Sequence, residues 1–196
     1  MIILLNYMEI NSELIEQIRK YALSAEKPER YAHSIRVAET AGLMCGLYGI
    51  DAKKGYLAGL AHDICKDLDD ASLLTLASCD KMPISELEQK RPSLLHGRAA
   101  AQKLKLDYKI DDEDILQAVA CHTLGGEGIC SLAKVIYAAD KIEPGRPQSS
   151  ESYRLALFIK PLNELCLSVL EENIAYLRSK GKQIAPSTFR FKESLK

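Results

Sequence analysis

The chain has only four histidines, His33, His62, His96 and His122, and all four fall at or near inward positions of a helical pattern. His33 shares its spacing with Val37, Met44 and Tyr48, and His122 follows Ile115 and Val119 on one face. Asp140 extends the apolar series Ile129, Ala133, Ile136, so that a carboxylate closes a hydrophobic stripe. A buried carboxylate without a partner is costly, and it neutralises or finds a cation. His62 precedes Asp63 directly. Small neighbours (Ala58 and Gly59; Ala99 and Ala100) allow close helix approach around His62 and His96. Taken singly, an inward histidine is most simply a hydrogen-bonded core residue. Six such groups together form an imidazole and carboxylate set suited to zinc, iron or manganese. One catalytic metal keeps a position open for water, so six ligands exceed its needs. Two metals sharing a bridging carboxylate is the economical arrangement, and Asp63 is the natural bridge.

These residues can meet only if the elements that carry them pack into one bundle, where metal sites of this type are built. Leucine occurs 28 times and valine 4 times, and tryptophan is absent, a bias towards helix over sheet. No stretch shows clean period-2 alternation between hairpin signals. The spacing predicts helices over 12–25, 28–48 (closed by Gly49), 51–62, 69–77, 92–104, 111–121, 129–140, 151–158 and 161–179, with another turn or two at 83–88. Gly125, Gly126 and Gly128 mark a loop, and Glu143, Pro144 and Gly145 a turn. Residues 181–196 lack strong periodicity and read as a strap or loose tail. The expected fold is one all-α domain over 1–196, with its core at about 12–180.

Composition narrows the partners. Hydrophobic residues make up 47% and charged residues 27%, with a formal net charge of −1, which gives no footprint for nucleic acid. An anion must therefore be held by a local cluster, and small polyphosphates fit that better than duplex DNA. Cys45, Cys65, Cys79, Cys121, Cys130 and Cys166 show no zinc-ribbon spacing and read as reduced thiols in a cytoplasmic protein. The apolar run from Met1 to Leu5 is too short to span a bilayer, and Met8 is an alternative start. A homodimer is left open.

The order of His33, then His62-Asp63, then Asp140 resembles the H…HD…D signature of the HD-domain phosphohydrolase superfamily, an all-α fold. Finer detail is similar to its YqeK-type branch, the symmetrical bis(5'-nucleosyl)-tetraphosphatases. The matching stretches are Arg30-Tyr31-Ala32-His33-Ser34, His62-Asp63-Ile64-Cys65-Lys66, Leu95-His96-Gly97, His122-Thr123-Leu124-Gly125 and the run from Tyr137 to Arg146 that contains Asp140-Lys141-Ile142-Glu143-Pro144-Gly145. Three places depart from the branch: Leu124 replaces a threonine, Cys130 a serine, and Gly97-Arg98 a small residue followed by proline. The resemblance implies His33, His62, Asp63 and Asp140 on one metal, and His96 and His122 on a second, with Asp63 shared. It implies iron, though manganese, cobalt or zinc suit the same ligands. The implied substrate is diadenosine tetraphosphate, cut to two ADP.

Such chemistry needs cations around the phosphates. Lys66, just past the His-Asp pair, is the first candidate and, with Asp63, the candidate catalytic group. Arg146 follows, its fork suited to phosphate oxygens, and Thr123 with the amides of Gly125 and Gly126 can form a small nest. Arg98 is a weaker helper. Lys141 and Glu143 read as structural. Rival readings are an HD enzyme for guanosine alarmones, deoxynucleotides or cyclic dinucleotides, and a non-enzymatic nucleotide sensor. A ferritin-like di-iron bundle needs Glu-x-x-His on two helices, and the sequence has none.

Overall fold

The computed structural model describes residues 10–196. The Met1–Leu5 run and the alternative start at Met8 lie outside them. Among the described residues there is no strand, and the chain forms eleven α-helices and one 3-10 turn. Side-chain caps begin several of them. Asn11 starts α1 (Ser12–Ala25), Asp51 starts α3 (Ala52–Ala61), and Asp69 starts α4 (Asp70–Ser78). Each cap accepts from a backbone N–H that the helix itself leaves unpaired. Proline opens α2 (Pro28–Leu47) without a side-chain cap, and Gly49 past its end adopts φ +69°.

The short element expected at 83–88 begins three residues later, as α5 (Glu86–Lys90), because Ser85 and Glu88 make a reciprocal capping box. The helix expected over 92–104 divides into a 3-10 turn, Pro92–Leu95, and α6 (His96–Tyr108). That junction places His96 at the break. Asp112 rather than Asp111 caps α7 (Glu113–Cys121). Cys130 caps α8 (Ser131–Ile142), its sulfur accepting from Ala133 N at 3.4 Å, so a thiol does the work of the serine expected there. Then come α9 (Glu151–Phe158) and α10 (Leu162–Ser179). The C-terminal segment, expected as a strap or a loose tail, packs on the bundle as a helix, α11 (Pro186–Ser194). Its Phe191 is fully buried and meets the Tyr137 ring edge-on, with 5.1 Å between centroids.

Close helix crossings position the site. A Cβ on Gly59 would lie 2.7 Å from the Ala38 Cα, and one on Gly55 2.9 Å from the Ala41 carbonyl, so α3 lies directly on the α2 backbone. That contact brings His62, at the end of α3, beside His33 on α2. Gly97 does the same for α6 and α7, since its Cβ would lie 2.8 Å from the Val119 carbonyl and 3.0 Å from the His122 ring. Gly59→Ala is expected to destabilise by about 1–3 kcal/mol, because backbone rather than a pliant side chain blocks the methyl. Gly46→Ala, inside α2 but with nothing within 4 Å, should be neutral or stabilising by up to ~1 kcal/mol. Paired thermal melts of the two variants test the difference; equal melting points would contradict the close crossing.

Candidate metal centre and cleft

Three of the four histidines share one local device. His62 and His122 stand at the C-caps of α3 and α7, and His96 stands at the end of the 3-10 turn. In each, ring Nδ1 lies 2.6–2.7 Å from the carbonyl three residues earlier, namely Gly59, Ser93 and Val119. Carbonyls in a last helical turn lack an intrahelical partner, so the imidazoles supply the missing donors. A carbonyl only accepts, so Nδ1 carries the hydrogen, a tautomer assigned from the network. Each Nε2 is then a lone pair aimed inward.

Those lone pairs converge. His96 Nε2 lies 2.9 Å from His122 Nε2 and 3.0 Å from Asp63 Oδ1. His62 Nε2 is fully buried with no hydrogen-bond partner, 3.8 Å from both Asp63 Oδ2 and Asp140 Oδ1. Burial lowers the His122 pKa to about 3, so its ring is neutral. Facing acceptors in a buried pocket repel, and the cost is relieved when a cation lies among them. Two imidazole nitrogens about 2.1 Å from one metal and at right angles are about 3 Å apart, close to the His96–His122 separation. The negative ends of α3 and α7 also point here, which favours positive charge. His33, His62 and Asp63 lie close enough to hold one ion, as do His62, His122 and Asp140, and Asp63, His96 and His122. All six residues expected from the sequence meet, and the donor set suits a divalent metal.

The surrounding shell holds a residue to which sequence reasoning gave only a structural part. Glu143 is 1% exposed; its Oε1 lies 3.0 Å from His33 Nδ1, and its carboxylate also accepts from Arg36 and from Gly145 N. A carboxylate behind His33 turns Nε2 towards Asp140 Oδ1, 3.1 Å away. Outer carboxylates of this kind fix a ligand's tautomer and raise its basicity. Glu143→Gln is expected to weaken metal affinity and turnover by ~10–100-fold, read from metal titration of the chelated protein. Unchanged affinity would assign Glu143 to packing alone. Its place in the turn after Asp140 was visible in the sequence, but the pairing with His33 spans 110 residues. Arg30, given no role beforehand, donates to Asp63 Oδ2 at 3.2 Å and to Asp67 at 3.0 Å.

The expected phosphate contacts separate into two groups. Lys66 Nζ lies 3.0 Å from His96 Nε2, and the Thr123 hydroxyl lies 3.1 Å from the same atom. Burial lowers the Lys66 pKa against the pull of Asp63 and Asp140. Arg146 donates to Asp140 Oδ1 at 2.6 Å and to its carbonyl at 2.8 Å. Lys141 donates to Asp140 Oδ2 at 3.1 Å and to the His122 carbonyl at 3.0 Å. Burial opposes ionisation of Asp140, but Lys141, His33 and Arg146 outweigh it and hold the carboxyl well below its usual range. Lys66, Thr123, Lys141 and Arg146 line a cleft of about 1460 Å³ with the ligand cluster in its floor.

Gly125 is the correction. Its N–H already donates to the Cys121 carbonyl at 2.8 Å, and a Cβ there would lie 2.1 Å from the Phe191 ring. It is buried, and neither it nor Gly126 lines the cleft. The glycine, at φ +70°, makes room for α11 rather than cradling phosphate. Arg98 is likewise engaged elsewhere, by Asp80 at 2.7 Å through two nitrogens and by the Met82 carbonyl.

A helical bundle with histidines and aspartates from several helices buried beneath an open basic cleft defines an HD-type hydrolase. The HD domain family model matches residues 30–145. A solved structure, described as a predicted HD superfamily hydrolase involved in NAD metabolism from Clostridium acetobutylicum, superposes with a TM-score of 0.84 at 30% identity, covering 92% of this chain and 95% of that one. The symmetrical bis(5'-nucleosyl)-tetraphosphatase of Bacillus subtilis is 33% identical over 177 residues, 87% of this chain and 94% of that protein. Its namesake from Halalkalibacterium halodurans is 34% identical over 174 residues, 87% and 92%. The chain belongs to the HD domain family, in the branch of the symmetrical bis(5'-nucleosyl)-tetraphosphatases.

Proposed function

We propose that this protein hydrolyses diadenosine tetraphosphate, and dinucleoside tetraphosphates like it, at the central anhydride to give two nucleoside diphosphates. The observation that carries the reading is the convergence of buried acceptor atoms at the floor of a cleft edged with lysine and arginine. The names of its relatives support the same substrate class. His33, His62, Asp63 and Asp140 would hold one divalent metal, and His96 and His122 a second that shares Asp63. Iron is the first choice, with manganese, cobalt or zinc as alternatives. Such a pair acidifies a water and neutralises charge that builds on phosphoryl oxygens.

The chain's own groups do the rest. Lys66 and Thr123, each within 3.1 Å of His96 Nε2, reach an inner phosphate lying over the cluster. Arg146 and Lys141 balance Asp140 and present further N–H donors to the cleft. Arg30 neutralises the outer oxygen of Asp63. Water adds to one inner phosphorus, the bond from that phosphorus to the central bridging oxygen breaks, and the leaving group departs as ADP. The attacked half, now carrying the water oxygen, is the second ADP.

Product analysis tests this. Protein stripped by chelator and reloaded with one metal at a time is given diadenosine tetraphosphate, with a guanosine alarmone and a cyclic dinucleotide alongside. ADP as sole product, lost on chelation and restored by metal at two ions per chain, is the expected result. ATP plus AMP would rule out symmetrical cleavage, and full activity after chelation would rule out the metal centre. Faster turnover of the alarmone or the cyclic dinucleotide would shift the substrate class.

A further inference from the structure

The cleft is far larger than its metal-ligand floor, and one wall has a different chemistry. Val169, Glu172, Asn173, Tyr176 and Leu177 follow the i, i+3, i+4, i+7, i+8 pattern and so form one face of α10, turned into the cleft. Tyr153 on α9 donates to Glu172 Oε2 at 2.5 Å. That bond holds the carboxylate in place and leaves its other oxygen free to accept. Asn173 donates to the Tyr137 hydroxyl at 3.3 Å, and Tyr137 packs beneath Lys141, whose Nζ is 4.0 Å from the ring centroid. The wall is therefore tied to the residues beside Asp140. The cleft is also lined by Lys27, Arg30 and Arg91, a composition suited to phosphate rather than to ribose.

We propose that this face of α10, with Tyr153, is the subsite for one nucleoside of the substrate. The free oxygen of Glu172 accepts from the ribose hydroxyls, and Tyr176 offers its ring to the base. The inference rests on the dinucleotide reading above for the identity of the occupant, and on the wall's geometry for its place. A carboxylate is the acceptor that suits a vicinal diol, which presents two O–H donors. Tyr176 is 56% exposed and one helical turn from Glu172. A largely exposed aromatic ring beside a polar anchor is a stacking platform, and stacking tolerates either purine; Lys180 Nζ stands 5.8 Å from the ring centroid. Val169, a turn before Glu172, and Leu177, next to Tyr176, supply apolar wall on either side of the pair.

Binding of ADP to the metal-loaded protein tests the subsite apart from turnover. ADP, 2',3'-dideoxy-ADP and inorganic pyrophosphate are titrated into wild type, Glu172→Gln and Tyr176→Ala. Glu172→Gln is expected to weaken ADP by about tenfold, the scale of a hydrogen bond to a charged group. It should leave dideoxy-ADP and pyrophosphate unchanged. Tyr176→Ala should weaken both nucleotides and spare pyrophosphate. Equal losses for ADP and dideoxy-ADP in Glu172→Gln, or no loss in either variant, would overturn the subsite. Failure of the function reading looks different: diadenosine tetraphosphate would not be cut, while ADP binding still depended on Glu172.

Discussion

Asp63→Asn lowers turnover of diadenosine tetraphosphate by about 10³-fold or more, the equivalent of ~4 kcal/mol of transition-state stabilisation, and the purified protein carries less than its full metal content. Asp63 faces both halves of the cluster. Oδ1 lies 3.0 Å from His96 Nε2 and 3.5 Å from His122 Nε2, while Oδ2 lies 3.8 Å from His62 Nε2 and accepts from Arg30. Asparagine keeps the shape but removes the charge, and its amide turns donors towards groups that include Arg30. Neither metal position is then properly matched.

The same change should not unfold the protein. Without metal, Asp63 is a buried carboxylate, 6% exposed, with one oxygen facing imidazole Nε2 atoms and the other accepting from Arg30, so neutralising it removes an attraction as well as a repulsion. Arg30 retains Asp67 as a partner. Thermal melting of the chelated variant is therefore expected close to that of chelated wild type, with a smaller gain on adding metal. Elemental analysis together with kcat decides the matter. A variant with two metals per chain and near-normal kcat would remove Asp63 from the bridging position.

Phe191→Ala carries the largest expected effect on stability, about 3–5 kcal/mol by the precedent of buried aromatic truncations. The loss falls mainly on one element. Helix α11 has no side-chain N-cap, and its inward contacts are Phe191, Thr188 and, just past its end, Leu195. Thr188 donates to the Leu124 carbonyl at 2.8 Å, and Phe191 fills the space that Gly125 leaves open. Without the ring, α11 should open locally before the bundle does, and its cost is then bounded by that local opening.

Hydrogen exchange over 186–194 should accelerate in Phe191→Ala, and the loop of Thr123 and Leu124 should exchange faster with it. Phe189→Ala, at a residue 42% exposed on the same helix, should change stability by no more than ~0.5 kcal/mol. If exchange in α11 matched wild type in both variants, the helix would not be held by Phe191.

Much of this protein is local information, and local information is what a sequence carries. Helix starts at Asn11, Pro28, Asp51 and Asp69 follow from capping chemistry, and 3.6-residue periodicity turned His33, His122 and Asp140 inward. An inward polar group in an apolar stripe needs a partner, so six of them together already pointed to metal. The matched stretches, ending in the run from Tyr137 to Arg146, carried the family.

Tertiary structure decided the rest, because it depends on which helices cross and how closely. The lone-pair direction of each imidazole is set by a carbonyl three residues back, but only the crossings at Gly59 and Gly97 bring those lone pairs within reach of one another. Glu143 backs His33, and Arg30 reaches Asp63, across separations that no periodicity encodes. A single buried ring on a nine-residue helix leaves almost no pattern, so sequence leaves 181–196 as a strap or a loose tail, and only the packing of Phe191 against Gly125 removes that glycine from a phosphate nest. Residue type and spacing were enough to name the six residues that the fold brings together. Packing alone determined what stands behind them, what closes over them, and which wall of the cleft is left open to a nucleoside.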